Sequence, residues 1–229
     1  MVNLELSSHT SQLTNITSPK KLLSKIYRIV TLTDAKTSLP YTKWESDLSI
    51  STDANFWTQI CKNTFLMTKN TNLQLIQYKT LHRTHLTGRR LFHMGYSSDT
   101  CSHCSQNCPD TYIHALWYCT PVKQLWEKIT GLLSTFLGCH IPISPSLCLL
   151  GDTSIVTLNN LECTVLLVAL AVTKKTILMN WKTKEKIHIS IWKNLLLDHI
   201  SFEISQYSSE THSQESISIW SSLSKFLQL

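Results

Sequence analysis

The chain has little that would bend, bridge or anchor it. Its 229 residues include only 5 glycines and 6 prolines, too few for a loop-rich or low-complexity protein. The longest apolar run, Leu161 to Val172, is interrupted by Glu162. It falls well short of the roughly 20 residues that cross a bilayer, so it reads as a buried helix and no membrane partner is expected. Residues 1–21 are polar, rich in Ser and Thr, and lack the apolar core of a signal peptide. An intracellular location, cytoplasmic or nuclear, is therefore expected. There the eight cysteines should stay reduced, and close-spaced Cys and His should favour metal over disulfides. Catalytic signatures are missing too. There is no P-loop, no G-x-S-x-G and no H-E-x-x-H, and the carboxylates are sparse and dispersed. An enzyme is not expected.

Acid is the scarcest commodity in one particular place. Residues 54–98 hold no Asp or Glu, but carry Lys62, Lys69, Lys79, Arg83, Arg89 and Arg90. The chain has 21 basic and 15 acidic residues, so the whole net charge of +6 falls on this segment. His82, His85 and His93 lie within it. Such a patch fits a binder of phosphate backbones; it also fits a merely solvated face.

What is present is helical spacing. A flexible leader is expected over 1–18, then a first helical position at Ser18-Pro19 with Leu22, Ile26, Ile29 and Val30 on one face. A short helix near Tyr41–Leu48 would place Trp44 and Leu48 together. Thr52-Asp53 can cap a helix carrying Phe56, Trp57, Ile60 and Phe65. Asn70-Thr71 can cap another with Leu73, Ile76, Thr80 and Leu81 inward. On that helix Lys79 and Arg83, four apart, would share a side. Thr87 can cap a short helix bearing Arg89, Arg90 and Phe92, ended by Gly95. Pro121 suits the first turn of a helix whose apolar set is Val122, Leu125, Trp126, Ile129, Leu132, Leu133 and Phe136 and which stops at Gly138. Ile141-Pro-Ile-Ser-Pro reads as an extended linker and a candidate boundary. Asn159 or Asn160 can cap a long helix running to about Trp181. Lys174, Lys175 and Lys182 near its far end form a second basic patch, part of which complements the helix dipole. Ile191, Trp192, Leu195, Leu196, His199, Ile200 and Ile204 mark another helix. A polar break over 208–213 precedes a last one with Ile219, Trp220, Leu223 and Phe226. Alternation over 186–191 is the only strand-like signal. The expected fold is all-α: a helical bundle with a small Cys3His zinc-binding unit inserted between helices. The expected divisions are a leader (1–18), a basic helical segment (19–97), the zinc unit and following helix (98–138), a C-terminal helical segment (139–207), and a break with a terminal amphipathic helix (208–229).

The sharpest motif is Cys101-x2-Cys104-x9-His114-x4-Cys119. Three thiols and an imidazole at this spacing can close a tetrahedral shell around one structural Zn2+. Four protein ligands leave no open position for water, so the motif argues for scaffolding over hydrolysis. Cys108 lies inside the unit and could replace Cys104 in a different register. Pro109-Asp110 would start a helix presenting His114 and Cys119, bent or ended near Tyr118. The scattered Cys61, Cys139, Cys148 and Cys163 read as small buried hydrophobes. Most tryptophans read as core, with Trp181 kept as a possible base-stacking residue.

The run Lys79-Thr-Leu-His-Arg-Thr-His-Leu-Thr-Gly-Arg-Arg-Leu91, the Cys-x2-Cys pair and His114-Ala-Leu-Trp-Tyr-Cys-Thr-Pro-Val-Lys-Gln-Leu-Trp126 resemble the C-terminal region of LINE-type non-LTR retrotransposon reverse transcriptases. The resemblance covers roughly residues 20–205 and is most specific over 78–126. It implies a helical wrist and a zinc-bearing tail that grips RNA or DNA beside a polymerase. By match, Cys101, Cys104, His114 and Cys119 are the metal ligands, and Arg83, His85 and Arg89 fall in the basic stretch. Gly88 stands where the family often has Pro. The polymerase's paired aspartates and the endonuclease are absent, so the chain resembles a fragment or domesticated tail. The polymerase portion of a parent element is then a natural partner. The expected contacts to RNA or DNA phosphates are Lys79, Arg83, His85, Arg89 and Arg90, with Lys174, Lys175 and Lys182 as the second patch. The alternatives are a structural or protein-interaction zinc module, or an inert remnant.

Overall fold

The computed structural model describes residues 39–96, 98–181, 187–207 and 214–228. The leader, the helix expected after Pro19, the 208–213 break and Lys182 lie outside the described residues. Two compact units are resolved, Met1–Lys43 and Trp44–Leu229. Of the first, only residues 39–43, the start of helix α1 (Leu39–Leu48), are described. All later elements belong to the second unit.

Every regular element among the described residues is helical, and the one extended pairing is an isolated bridge between Thr100 and Pro109. The fold is all-α, with the Cys/His unit lying between helices. Helix starts follow the local chemistry of the chain. Asp53 accepts the Phe56 N–H at the head of α2 (Ala54–Leu66), and Asn70 accepts from Asn72 and Leu73 at α3 (Thr71–Leu81). Thr87 does the same for Arg90 in α4 (Gly88–His93). Pro121 lies in the first turn of α5 (Thr120–Leu137), which Gly138 ends with φ 65. Asn159 and Glu162 form a full capping box at α6 (Asn160–Asn180). Each such cap contributes about 1 kcal/mol. Two longer elements complete the set, α7 (Ile189–Tyr207) and α8 (Gln214–Gln228). The alternation at 186–191 is not a strand, because α7 already begins at Ile189.

Helix α6 is the axle. It packs on α3, α5, α7 and α8 and buries residues on all sides, as a helix apolar all round must. Trp44, Trp126, Trp192 and Trp220 are fully buried. Three of their indole N–H groups find backbone acceptors: Leu81 O for Trp44, Leu116 O for Trp126 and Ala169 O for Trp192. The expected apolar face of α2 is only partly right. Trp57 and Ile60 are buried, but Phe65 is 57% exposed, and Met67 just beyond the helix turns inward instead. A polar knot ties the α2–α3 turn to α7. Glu203 accepts the Thr68 hydroxyl and lies 2.9 Å from His199, whose other ring nitrogen is 3.3 Å from the Asn70 amide.

The Ile141–Ser146 stretch does not divide the fold. Ile141 is buried, and the π-helical turn after it (Ser146–Leu150) buries Leu147 to Leu150 against α3 and α6. The carbonyls at the end of that turn overturn one expectation. Lys174 is not a surface cation. It is 1% exposed, and its ammonium donates to Cys148 O at 2.8 Å and Leu149 O at 3.4 Å. Gln77 donates to Leu149 O and Leu150 O from α3. A cation at the negative end of a helical turn is the favourable placement, here made indoors. Burial pushes the Lys174 ammonium down to about 7 from its ordinary 10.5. Between those values the unfolded chain binds the proton more tightly than the folded one, so stability rises with pH through that window. Urea midpoints at pH 7 and 9 should show this rise, and Lys174→Met should flatten it. An unchanged slope in the variant would assign the pH dependence elsewhere.

Candidate metal centre

Cys101 and Cys104 lie on a tight knuckle. It is closed by Cys101 N–H donating to Cys108 O at 2.9 Å and Asp110 N–H donating to Asp99 O at 2.6 Å, with Asn107 at φ 47. The chain then enters a helical turn at Tyr112, with the Thr111 hydroxyl accepting the His114 N–H. That turn is not α. His114–Tyr118 is π-helical, and Cys119 N–H donates to His114 O at 2.8 Å. The winding answers the five-residue spacing of the last two donors. On an α-helix residues five apart point about 140° away from each other. An i→i+5 turn stacks them, so both face the knuckle.

The donor atoms of Cys101, Cys104, His114 and Cys119 all lie within 4.8 Å of one another. Zinc bonds of about 2.3 Å to sulfur and 2.0–2.1 Å to nitrogen require tetrahedral edges of about 3.8 Å between sulfurs and 3.5 Å from sulfur to nitrogen. Cys101 Sγ lies 3.8 Å from Cys119 Sγ, and Cys104 Sγ lies 3.6 Å from His114 Nε2. The donor set therefore fits a tetrahedral metal ion. Cys101, His114 and Cys119 are buried, whereas Cys104 is half-buried. Desolvation pushes the Cys101 and Cys119 thiols up and the His114 imidazole down. At Cys104 burial also pushes up, but the Gln106 backbone N–H and the neighbouring thiols outweigh it and the thiol is lowered. A buried group of thiols that resists ionisation unaided is stabilised by a cation that brings the charge itself.

Three contacts show what the unit holds. Asp110, expected to start a helix, instead turns back to α4. Its Oδ2 accepts the Gly88 N–H at 2.8 Å and its backbone O accepts from Arg89. Glycine is required there, because a Cβ at position 88 would stand 2.5 Å from Asp110 Oδ2, and proline would also lack the N–H. Burial raises the Asp110 carboxyl to about 6. His103, between the paired cysteines, points away from the donors and places Nε2 2.7 Å from Trp181 O at the end of α6. On the third side, Trp126 of α5 grips Leu116 O inside the π turn. Asp110 and Thr111 carry no motif; the missing side chain at Gly88 was the one trace of the first.

The expected phosphate-binding residues are not all on one surface. Lys79, Arg89 and Arg90 are exposed, and Lys175 and His85 are half-buried. Lys174 is in the core and Lys182 is outside the described residues. Arg83 is a correction as well. Helix α3 ends at Leu81, and Arg83 has φ 53, so it does not share a helical side with Lys79. Its guanidinium folds over the rings of Trp44, at 4.5 Å, and Tyr112, at 4.8 Å, and pairs with Asp47 at 2.6 Å. Arginine is suited to such a stacked, paired site. His85 is held below the ordinary histidine range by burial first and by the Lys79 charge second, so near neutral pH it is an uncharged ring. Lys79, His85 and Leu86 face Met179 and Trp181 across a groove of about 420 Å³. No helix among the described residues is long and apolar enough to cross a membrane. No known protein-family model matches the chain.

Proposed function

We propose that this chain is a non-catalytic, zinc-stabilised nucleic-acid-binding module, akin to the tail of a LINE-type reverse transcriptase. Zinc is the ion best matched to three thiolates and one imidazole in a closed tetrahedral shell. The observation that carries the binding reading is the composition of the outer face. Lys79, Arg89 and Arg90 are exposed, as are Tyr78 and Phe92, while the two carboxylates bonded to residues 83–90, Asp47 on Arg83 and Asp110 on Gly88, are largely buried. Cations interleaved with aromatic rings favour single strands, whose phosphates and base faces are both available. The groove between Lys79 and Trp181 extends the same chemistry to α6. Phosphate contacts of this kind position a strand without choosing its sequence.

The test is salt dependence. Replacing Lys79, Arg89 and Arg90 together with Gln should reduce the slope of log affinity against log salt by about 2 on single-stranded RNA, at about 0.7 per phosphate lost. Filter binding at several salt concentrations reads this directly, and an unchanged slope removes these residues from the interface. Elemental analysis should give about one zinc per chain. A protein-interaction module is the second reading. It is favoured by Phe65 and Leu66, which stand 57% and 77% exposed at the end of α2. No binding to RNA or DNA at low salt would favour it.

A further inference from the structure

The metal centre has more donors than a tetrahedral ion can use. Cys108 Sγ lies 3.7 Å from Cys104 Sγ and 3.5 Å from both ring nitrogens of His114. Those are ligand-to-ligand spacings for a zinc shell. Cys108 thus stands as a fifth donor against the edge shared by Cys104 and His114. Its backbone is fixed by the bond from Cys101 N–H to its carbonyl, so its distance from the centre does not depend on Cys104. A swing between staggered χ1 rotamers carries a cysteine sulfur through about 3 Å, enough to exchange an outer for an inner position. The placement also matches where a ligand is most easily lost. Cys101, His114 and Cys119 are 7%, 7% and 2% exposed, whereas Cys104 is half-buried, as is Cys108 beside it.

We propose that Cys108 is a reserve ligand: when Cys104 is removed or blocked, Cys108 completes the shell with Cys101, His114 and Cys119. The inference rests on the metal-binding reading and goes beyond it, because it assigns two interchangeable registers to one centre. A chain with a single register loses its metal with its first damaged thiol. A chain with two keeps the fold through that damage.

The test titrates the full chain with Co2+, whose absorption reports the number of coordinating thiolates, and competes it with Zn2+. Wild type and Cys108→Ser should each bind one ion through three thiolates with the same affinity. Cys104→Ser should also bind one ion through three thiolates, within about tenfold of wild type, a loss no larger than outer-shell changes bring. The Cys104→Ser/Cys108→Ser double variant should show two thiolates and bind at least about a hundredfold more weakly. If Cys104→Ser falls as far as the double variant, or stays unfolded with metal present, there is no reserve. If Cys108→Ser alone loses a thiolate, Cys108 is a primary ligand and the assignment is wrong. If the wild type binds no ion, the metal reading fails, and this inference with it.

Discussion

Stripping the metal should lower the thermal midpoint of the wild-type chain by about 8–16 °C. With free metal a thousandfold above its dissociation constant, binding contributes about 4 kcal/mol, and in a chain of this size each kcal/mol moves the midpoint by about 2–4 °C. The effect should be large because little else holds the unit. Between Ser98 and Tyr118 the chain has one isolated bridge, a knuckle with Asn107 in the left-handed region, and a single π turn. Its buried donors are two thiols, Cys101 and Cys119, and the His114 ring, whose charging burial opposes, so without a cation they are poorly solvated neutral groups. The loss should spread. Asp110 holds the Gly88 N–H at the start of α4 and His103 makes the contact to Trp181, so both go slack when the knuckle opens. Protons compete with metal for thiolates, and the chelator's effect should shrink as pH falls and the metal is already displaced. Circular dichroism melts with and without chelator give the answer, and coincident midpoints near neutral pH would mean that no metal stabilises the fold.

Trp126→Ala should cost about 3–5 kcal/mol, the range for emptying a buried aromatic site. The side chain is fully buried, in contact with the Trp117 ring at a centroid distance of 6.0 Å, and it joins α5 to the metal unit through Leu116 O. Trp126→Phe separates the two roles. It keeps most of the apolar volume and loses the N–H, which should cost about 1–3 kcal/mol through an unsatisfied buried carbonyl. The Leu116 carbonyl belongs to the π turn that presents His114 and Cys119, so the phenylalanine variant should also weaken metal binding, by about tenfold. Urea unfolding reads the first effect and metal competition the second. A Trp126→Phe chain with unaltered metal affinity would detach this indole from the centre.

What could be read in the sequence was local chemistry. Asp53, Asn70, Thr87 and Asn159 announce helix starts because a short polar side chain can reach the N–H groups two or three residues on, and Gly138 announces an end for the same kind of near-range reason. The four donors were legible because metal ligation fixes spacing within a few residues. Long basic side chains were not legible. Arg83 finds Asp47, 36 residues earlier, and Lys174 finds carbonyls about 25 residues away. A segment without acid in sequence therefore met acid in space, and a lysine at a helix's expected outer end lay on its inner side. Spacing alone also could not decide how the turn between His114 and Cys119 would wind.

That winding leaves the molecule with a coupling between chain length and chemistry. The π turn spends one residue more than α-helical geometry needs, and so acts as a vernier between two rigid registers: His114, set by the knuckle, and Trp126, set by the core. Deleting one residue between Ala115 and Tyr118 would restore an ordinary helix. It would also rotate everything beyond it by about 100° relative to the knuckle. The chain could then seat Cys119 in the metal shell or Trp126 in the core, but not both.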